Sequence, residues 1–259
     1  MQVELVDSFV SDGCLGNPAG VSIISEWPED RILQRVATEA GLPETAFVRP
    51  DGDGFEIRWF SPGTEVALCG HATLASALIV ADDLKPDAAG ILFWSRFSGR
   101  LPVRRHVTGF TLNFPASEVQ PSSCPAAGEA LGVQPVETFA GKSHLFVFRT
   151  EEEVRALRPD FDKVAALGLD GVIVTAPSDR PGIDFVSRYF APHVGVPEDP
   201  VTGYAHTLLT PFWSQRLGRT KLTGHQVSER GGIIHCRLNG DRVDLTGEAR
   251  RAGQRRIDV

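Results

Sequence analysis

Apolar and polar residues alternate along much of the chain. The stretches "QVELVDSF", "AGVSIIS", "ETAFVR" and "GFEIRWF" near the start follow this pattern, as do "HLFVFR", "GVIVTA", "GIDFVSRYF" and "RVDLTG" further on. Because a period of two lines up apolar side chains on one face of a pleated strand, each segment predicts a β-strand with at least one buried face. Helical periodicity is rarer. Residues 29–40 place Ile32, Leu33, Val36, Ala37 and Ala40 on one face and stop at Gly41, which suits a helix C-cap. Residues 71–81, "HATLASALIVA", are apolar or small on every side, the pattern of a helix surrounded by protein. A second such segment is "YAHTLLTPFWSQRL", residues 204–217, in which Pro211 predicts a bend or a break.

These two central helices belong to an internal repeat. "RWFSP" begins at Arg58 and leads to "CGHATLASALI"; "RYFAP" begins at Arg188, 130 residues later, and leads to "TGYAHTLLTPF". From arginine to helix-opening glycine is 12 residues in the first copy and 15 in the second, which places a three-residue insertion in a loop. Similarity at a fixed period defines the architecture before any single element does. The expectation is an α+β protein of two similar halves, 1–115 and 127–259, each a mostly antiparallel sheet wrapped around one central helix. The segment 115–126 is the crossover, and the C-terminal strands are free to return to the first half. Halves related by a pseudo-twofold axis would point the starts of both central helices, at Gly70–His71 and Gly203–Tyr204, into one shared cleft. Unpaired N–H groups and the positive dipole end at each start suit an anion such as a carboxylate.

Composition narrows the partners. A formal net charge of −7 argues against nucleic-acid or anionic-membrane surfaces, which rest on clustered Lys and Arg. The one basic cluster, "RRAGQRR", reads as a solvated tail. No apolar run reaches the length of a membrane span, and the start "MQVELVDSFV" has no signal-peptide pattern, so a cytoplasmic protein is expected. Cys14, Cys69, Cys124 and Cys236 form no C-x-x-C pair, and His193, His206, His225 and His235 show no metal-ligand spacing. Neither a disulfide framework nor a zinc site is expected, and the nucleotide and nucleophile-elbow motifs are absent.

A cleft that fixes a carboxylate also stabilises the charge that develops when a neighbouring C–H proton is removed, so what remains to be found is an acid/base group. Three ionisable residues lie in the matched elements. Glu44, in "LPETAFV", opens an apolar strand where a carboxylate is partly desolvated, as a proton shuttle requires; a local cap or ion pair is the plainer reading. His71 either donates to substrate oxygen, passes a proton or is a satisfied residue of a helix start. Asp199 either holds a substrate ammonium, positions His71 or caps the second helix. Cys69, directly before Gly70, offers a rival thiolate base. A symmetric two-thiol mechanism needs a second cysteine in "DPVTG", which has none.

The blocks "GNPAGV", "PETAFV", "RWFSPGTEVALCGHATLASA", "GVIVTA", "DFVSRYFAPHVGVPEDPVTGYAH", "PFWSQRLG" and "QVSERGG" resemble the PhzF-like phenazine-biosynthesis isomerase family, which has the diaminopimelate epimerase-like fold, from about residue 3 to 247. The resemblance implies that Glu44 is the acid/base glutamate, with His71 and Asp199 in the active site. It also implies that the substrate carboxylate meets backbone donors at Gly70, His71, Gly203 and Tyr204, with Asp7 and Asn17 contributing from the first strand and loop. Finally, it implies a small carboxylate substrate, no cofactor and a homodimer. The family commonly reads "TGSAH" where this chain has "TGYAH", so Tyr204 replaces a small hydroxyl residue and carries its own hydroxyl roughly 4 Å further out. Two functions follow from these residues: a cofactor-independent isomerase moving a proton between carbons with Glu44 as shuttle, or a non-catalytic binding or regulatory protein whose cleft Tyr204 alters.

Overall fold

The computed structural model describes residues 1–258. The chain divides into two compact units, Met1–Asn113 with Thr246–Val259, and Phe114–Leu245. Along the first run β1 (Gln2–Val10), β2 (Asn17–Ile23), α1 (Asp30–Ala40), β3 (Glu44–Asp51), β4 (Gly54–Phe60), β5 (Glu65–Val66), α2 (Gly70–Asp83), β6 (Gly90–Ser95), β7 (Gly99–His106) and β8 (Gly109–Pro115). The second contains β9 (Gln120–Pro121), α3 (Ala127–Leu131), β10 (Glu137–Ala140), β11 (His144–Val147), α4 (Glu151–Ala156), α5 (Phe161–Ala166), β12 (Val172–Pro177) and β13 (Phe185–Ala191). After a 3₁₀ turn at Pro192–Val194 come β14 (Val196–Asp199), α6 (Gly203–Leu217), β15 (Lys221–Gln226), β16 (Gly232–Asn239) and β17 (Arg242–Arg256). Residues 246–259, which the sequence left free to return, lie in the first unit, where β17 runs antiparallel to β1 from Gln2↔Arg256 to Val10↔Glu248.

The internal repeat is present in the topology of each unit. In the first, β1–β2 is antiparallel, β2–β3 parallel, β3–β4 and β4–β5 antiparallel, β4–β6 parallel and β6–β7 antiparallel. In the second, β10–β11, β11–β12, β12–β13, β13–β14, β13–β15 and β15–β16 repeat that series in the same order. The repeated arginine has one job in both copies. Arg58 donates from Nε and NH2 to both carboxylate oxygens of Glu65, each at 2.8 Å, and Arg188 does the same to Glu198 at 2.7 and 2.8 Å. Each guanidinium also lies over the phenylalanine two residues on, Phe60 at 5.1 Å and Phe190 at 5.0 Å. A planar fork that pairs with a carboxylate and stacks on a ring explains why the motif keeps arginine rather than lysine. Arginine and glutamate are 7 residues apart in the first copy and 10 in the second, so the three-residue insertion falls in the β13–β14 connection, which holds the 3₁₀ turn.

Both central helices are enclosed. Ten residues of α2, from His71 to Ala81, are buried, and the helix packs on β1, β2, β3 and β6 of its own unit. This burial on all sides matches its uniformly apolar sequence. α6 buries Leu208, Leu209, Phe212 and Trp213 and packs on β15 and β16. Of the bend or break expected at Pro211, the break does not occur, since α6 continues from Gly203 to Leu217. Proline removes the N–H that would bond the carbonyl of Thr207; here the amide of Ser117, from outside the helix, bonds that carbonyl at 3.1 Å. No helix among the described residues is long and apolar enough to cross a membrane.

Candidate functional site

The candidate residues gather into two clusters, one in each unit. In the first, α2 begins at Gly70 with Cys69 as an extended N-cap residue (φ −140°, ψ 110°) that has no side-chain capping bond. The first helical bond runs from the amide of Thr73 to the carbonyl of Cys69 at 3.1 Å. Glu44 opens β3, and its Oε2 lies 3.3 Å from Nε2 of His71, with the Glu44 side chain 20% exposed and that of His71 only 7%. Nδ1 of His71 lies 3.4 Å from the Asn17 amide nitrogen and 3.5 Å from the Cys69 sulfur. Ser8 Oγ donates to the His71 carbonyl at 2.8 Å, tying the start of α2 to β1. The donor atoms of Glu44, Cys69 and His71 all lie within 4.8 Å of one another.

Burial pushes the His71 imidazole down to about 4, opposed by a hydrogen bond with the Pro18 carbonyl. At neutral pH the ring is therefore uncharged, and its 3.3 Å approach to Glu44 is not an ion pair. Asn17 and Ser8 are brought together by the β1–β2 pairing, in which Ser8 faces Asn17 and Asp7 faces Pro18. That pairing needs a glycine before it: Gly16 has φ +72°, and a side chain there would sit 2.3 Å from the Ser8 carbonyl oxygen. On the other side of Ser8, fully buried Phe9 has φ +63° at a register shift in the β1–β17 pairing. Its ring occupies the space beside Gly247, where an added methyl would stand 2.3 Å from a ring carbon. A bulky residue held in the left-handed region beside a polar cluster is the kind of strain that accompanies functional sites.

In the second unit Asp199 ends β14, and its Oδ2 accepts a 2.5 Å hydrogen bond from Thr202 Oγ1. The Asp199 carbonyl accepts from Gln226 Nε2 at 2.6 Å, while Gln226 Oε1 accepts from the Thr202 amide at 2.8 Å. Fully buried Gln226 therefore fixes the approach to α6, whose first turn begins at Gly203. The Tyr204 hydroxyl accepts a 3.3 Å hydrogen bond from Ser143, and its ring packs edge-on against Tyr189 at 6.3 Å. Desolvation raises the Tyr204 phenol above its ordinary range, so it stays protonated.

The family of phenazine biosynthesis-like proteins (PhzC/PhzF) matches residues 6–253. The chain belongs to this family. It is 48% identical to an "uncharacterized isomerase" of Pseudomonas aeruginosa over 96% of both chains. Among solved structures, the PhzF-family phenazine biosynthesis protein of Enterococcus faecalis matches with a TM-score of 0.93 at 38% identity, over 99% of both chains. A putative PhzC/PhzF protein of Clostridium difficile matches with 0.91 at 36%, over the whole of both.

Within this PhzF-like framework, the Tyr204 hydroxyl is engaged by Ser143 and its ring by the ring of Tyr189, both of its own unit, rather than simply extending the site by a longer side chain. Sequence reasoning missed Ser8 and Gln226. Gln226 lies in the quoted block "QVSERGG", and the adjacency of Ser8 to Asp7 was the one available sign of its place. Thr202 and Cys69 hold equivalent positions before the two helix-opening glycines, so the repeat is chemically unequal where the helices begin.

Proposed function

We propose that this protein is a cofactor-independent isomerase that moves a proton between carbons of a small carboxylate, with Glu44 as the shuttle. One observation carries the reading: a partly exposed carboxylate lies 3.3 Å from an enclosed, uncharged imidazole at the first turn of a buried helix. Taking a proton neutralises Glu44 but charges His71, and burial favours the first change and opposes the second. Glu44 is therefore the base, and His71 the neutral partner that orients it or donates to substrate oxygen. First-turn amides at Gly70 and His71 are suited to the substrate carboxylate and to the enolate charge that grows on it. Asp7, Asn17, Asp199, Gly203 and Tyr204 are proposed as further binding groups. The name isomerase carried by relatives supports the reaction class.

A thermal-shift screen of small amino and hydroxy carboxylates tests the ligand class. A true ligand at about 100 times its Kd stabilises by roughly 2.7 kcal/mol, which corresponds to about 5–10 °C for a chain of this size. Carboxylates should stabilise the protein while their amides and alcohols do not. Equal shifts from the uncharged analogues would overturn the carboxylate assignment.

A further inference from the structure

We propose that Thr73 is a positioning residue: through the peptide that joins Cys69 to Gly70, its hydroxyl aims the first amide of α2 at the substrate carboxylate. The role rests on the reading of that helix start as the carboxylate's place. Thr73 is buried, and its Oγ1 donates to the Cys69 carbonyl at 2.6 Å, while its own amide bonds the same oxygen at 3.1 Å. A peptide unit is planar and, here, trans, so its carbonyl and its N–H point in opposite directions. Holding the Cys69 oxygen with two donors therefore fixes the direction of the Gly70 N–H, which points away from the helix. A carbonyl that accepts two bonds is also more polarised, and the N–H of the same unit becomes a better donor.

A buried hydroxyl in a helix ordinarily bonds the carbonyl four residues back, and fully buried Ser76 does so to Ala72 at 2.8 Å. What sets Thr73 apart is the carbonyl it takes and its counterpart in the repeat. His206 stands, like Thr73, three residues after a helix-opening glycine. Its Nδ1 donates to the Thr202 carbonyl at 2.8 Å, where the His206 amide reaches only 3.4 Å. The Thr202–Gly203 peptide is thus held as the Cys69–Gly70 peptide is, by a different side chain. Between the two units the residue has changed and the bond has not, which packing alone does not require. Neither N-cap side chain makes a capping bond, and the Thr202 hydroxyl is turned to Asp199 instead. Both starts are held from the carbonyl side rather than by a side chain laid over the amides.

The test reads the Gly70 amide directly. Cys69–Gly70 is the one Cys–Gly pair in the sequence, so the whole chain, carrying ¹³C at its cysteine carbonyls and ¹⁵N in its glycines, gives a single amide–carbonyl NMR signal. Titrated with acetate as the probe, that signal should move saturably in wild type and stay still with acetamide. Thr73→Ala should weaken acetate binding by about 5- to 10-fold, the scale of one hydrogen bond. Thr73→Ser, which keeps the hydroxyl and lacks only the methyl, should bind as wild type does. Ser76→Ala removes the same kind of bond further along α2 and should leave acetate binding unchanged. Should Thr73→Ala fail to fold, Thr73→Cys takes its place: a thiol is a weak donor, so this variant should bind acetate less well than Thr73→Ser. Full affinity without the hydroxyl, or equal losses in Thr73→Ala and Ser76→Ala, would overturn the role. A wild-type signal that ignores acetate would overturn the carboxylate site and the role of Thr73 with it, whereas acetate binding by a protein that exchanges no substrate proton sinks the isomerase reading alone.

Discussion

Exchange of the substrate C–H proton is expected to fall by about 100-fold or more in Glu44→Gln, the usual scale for losing a general base. The substitution keeps an oxygen that can accept from His71 across the observed 3.3 Å while removing the basic group. Binding of the carboxylate, measured by thermal shift, should change little, because the amides of Gly70 and His71 are untouched. Cys69→Ser is the decisive companion. Its sulfur stands 3.5 Å from His71 Nδ1, close enough to serve as a rival base, yet the unequal repeat gives it a threonine counterpart and no partner thiol. The glutamate mechanism predicts a large loss for Glu44→Gln and a small one for Cys69→Ser. The reverse order, measured by the same exchange assay, would transfer the chemistry to the thiol.

Stability is expected to fall steeply as pH drops from about 6.5 to 4. His71 and His206 are both pushed down to about 4, chiefly by burial. His225 is also lowered to about 4, first by burial and then by Arg155 and Arg180 beside it. In the unfolded chain these rings take up protons below about 6.5, whereas the folded protein refuses them until about 4. Across that window the unfolded state binds more protons, so protonation stabilises it and the folded state loses ground; above 6.5 the rings have no effect. A gap of this size is worth at most about 3 kcal/mol for each fully enclosed ring, and His225 adds less. Denaturant titrations at several pH values should show the midpoint dropping within this window, and His206→Gln should flatten the drop. Lowered carboxylates such as Glu65 and Glu137 act below their ordinary 4.5, which separates the two effects. A midpoint unchanged between pH 7 and 4.5 would contradict the assignment of these histidines as buried and neutral.

Much of the fold was legible because several signals agreed. The paired "RWF" and "RYF" motifs, each followed by a glycine and an apolar helix, marked the repeat, and the structure gives its physical basis in the Arg58–Glu65 and Arg188–Glu198 forks. The uniformly apolar α2 read as enclosed and is enclosed. Pro211 does not break α6, because its consequence for Thr207 is met by Ser117, which lies in another segment and leaves no trace in the local pattern. β7 was hard to see because Pro102 lies inside it, and a proline within an alternating run argues against a strand. The six-residue helices α4 and α5 are too short for periodicity to show, although their caps, Thr150 and Asp160, are ordinary N-cap residues. At the site, Glu44 and His71 could be named singly, but a separation of 27 positions does not reveal a 3.3 Å contact. Gln226 acts through hydrogen bonds to backbone and hydroxyl groups across the second unit, which no spacing rule encodes.

The central claim is that this protein removes and returns a proton at carbon in a small carboxylate. Wild-type protein, incubated in D₂O with each carboxylate that raises its melting temperature and followed by proton NMR, tests it most directly. The account predicts that one C–H signal of at least one such ligand is lost to deuterium at a rate set by protein concentration, with no added metal or nucleotide, and that the loss is slowed about 100-fold in Glu44→Gln. Ligands that bind saturably while every C–H signal persists, with protein at high concentration and over long incubation, would contradict it and leave a binding protein in place of an isomerase.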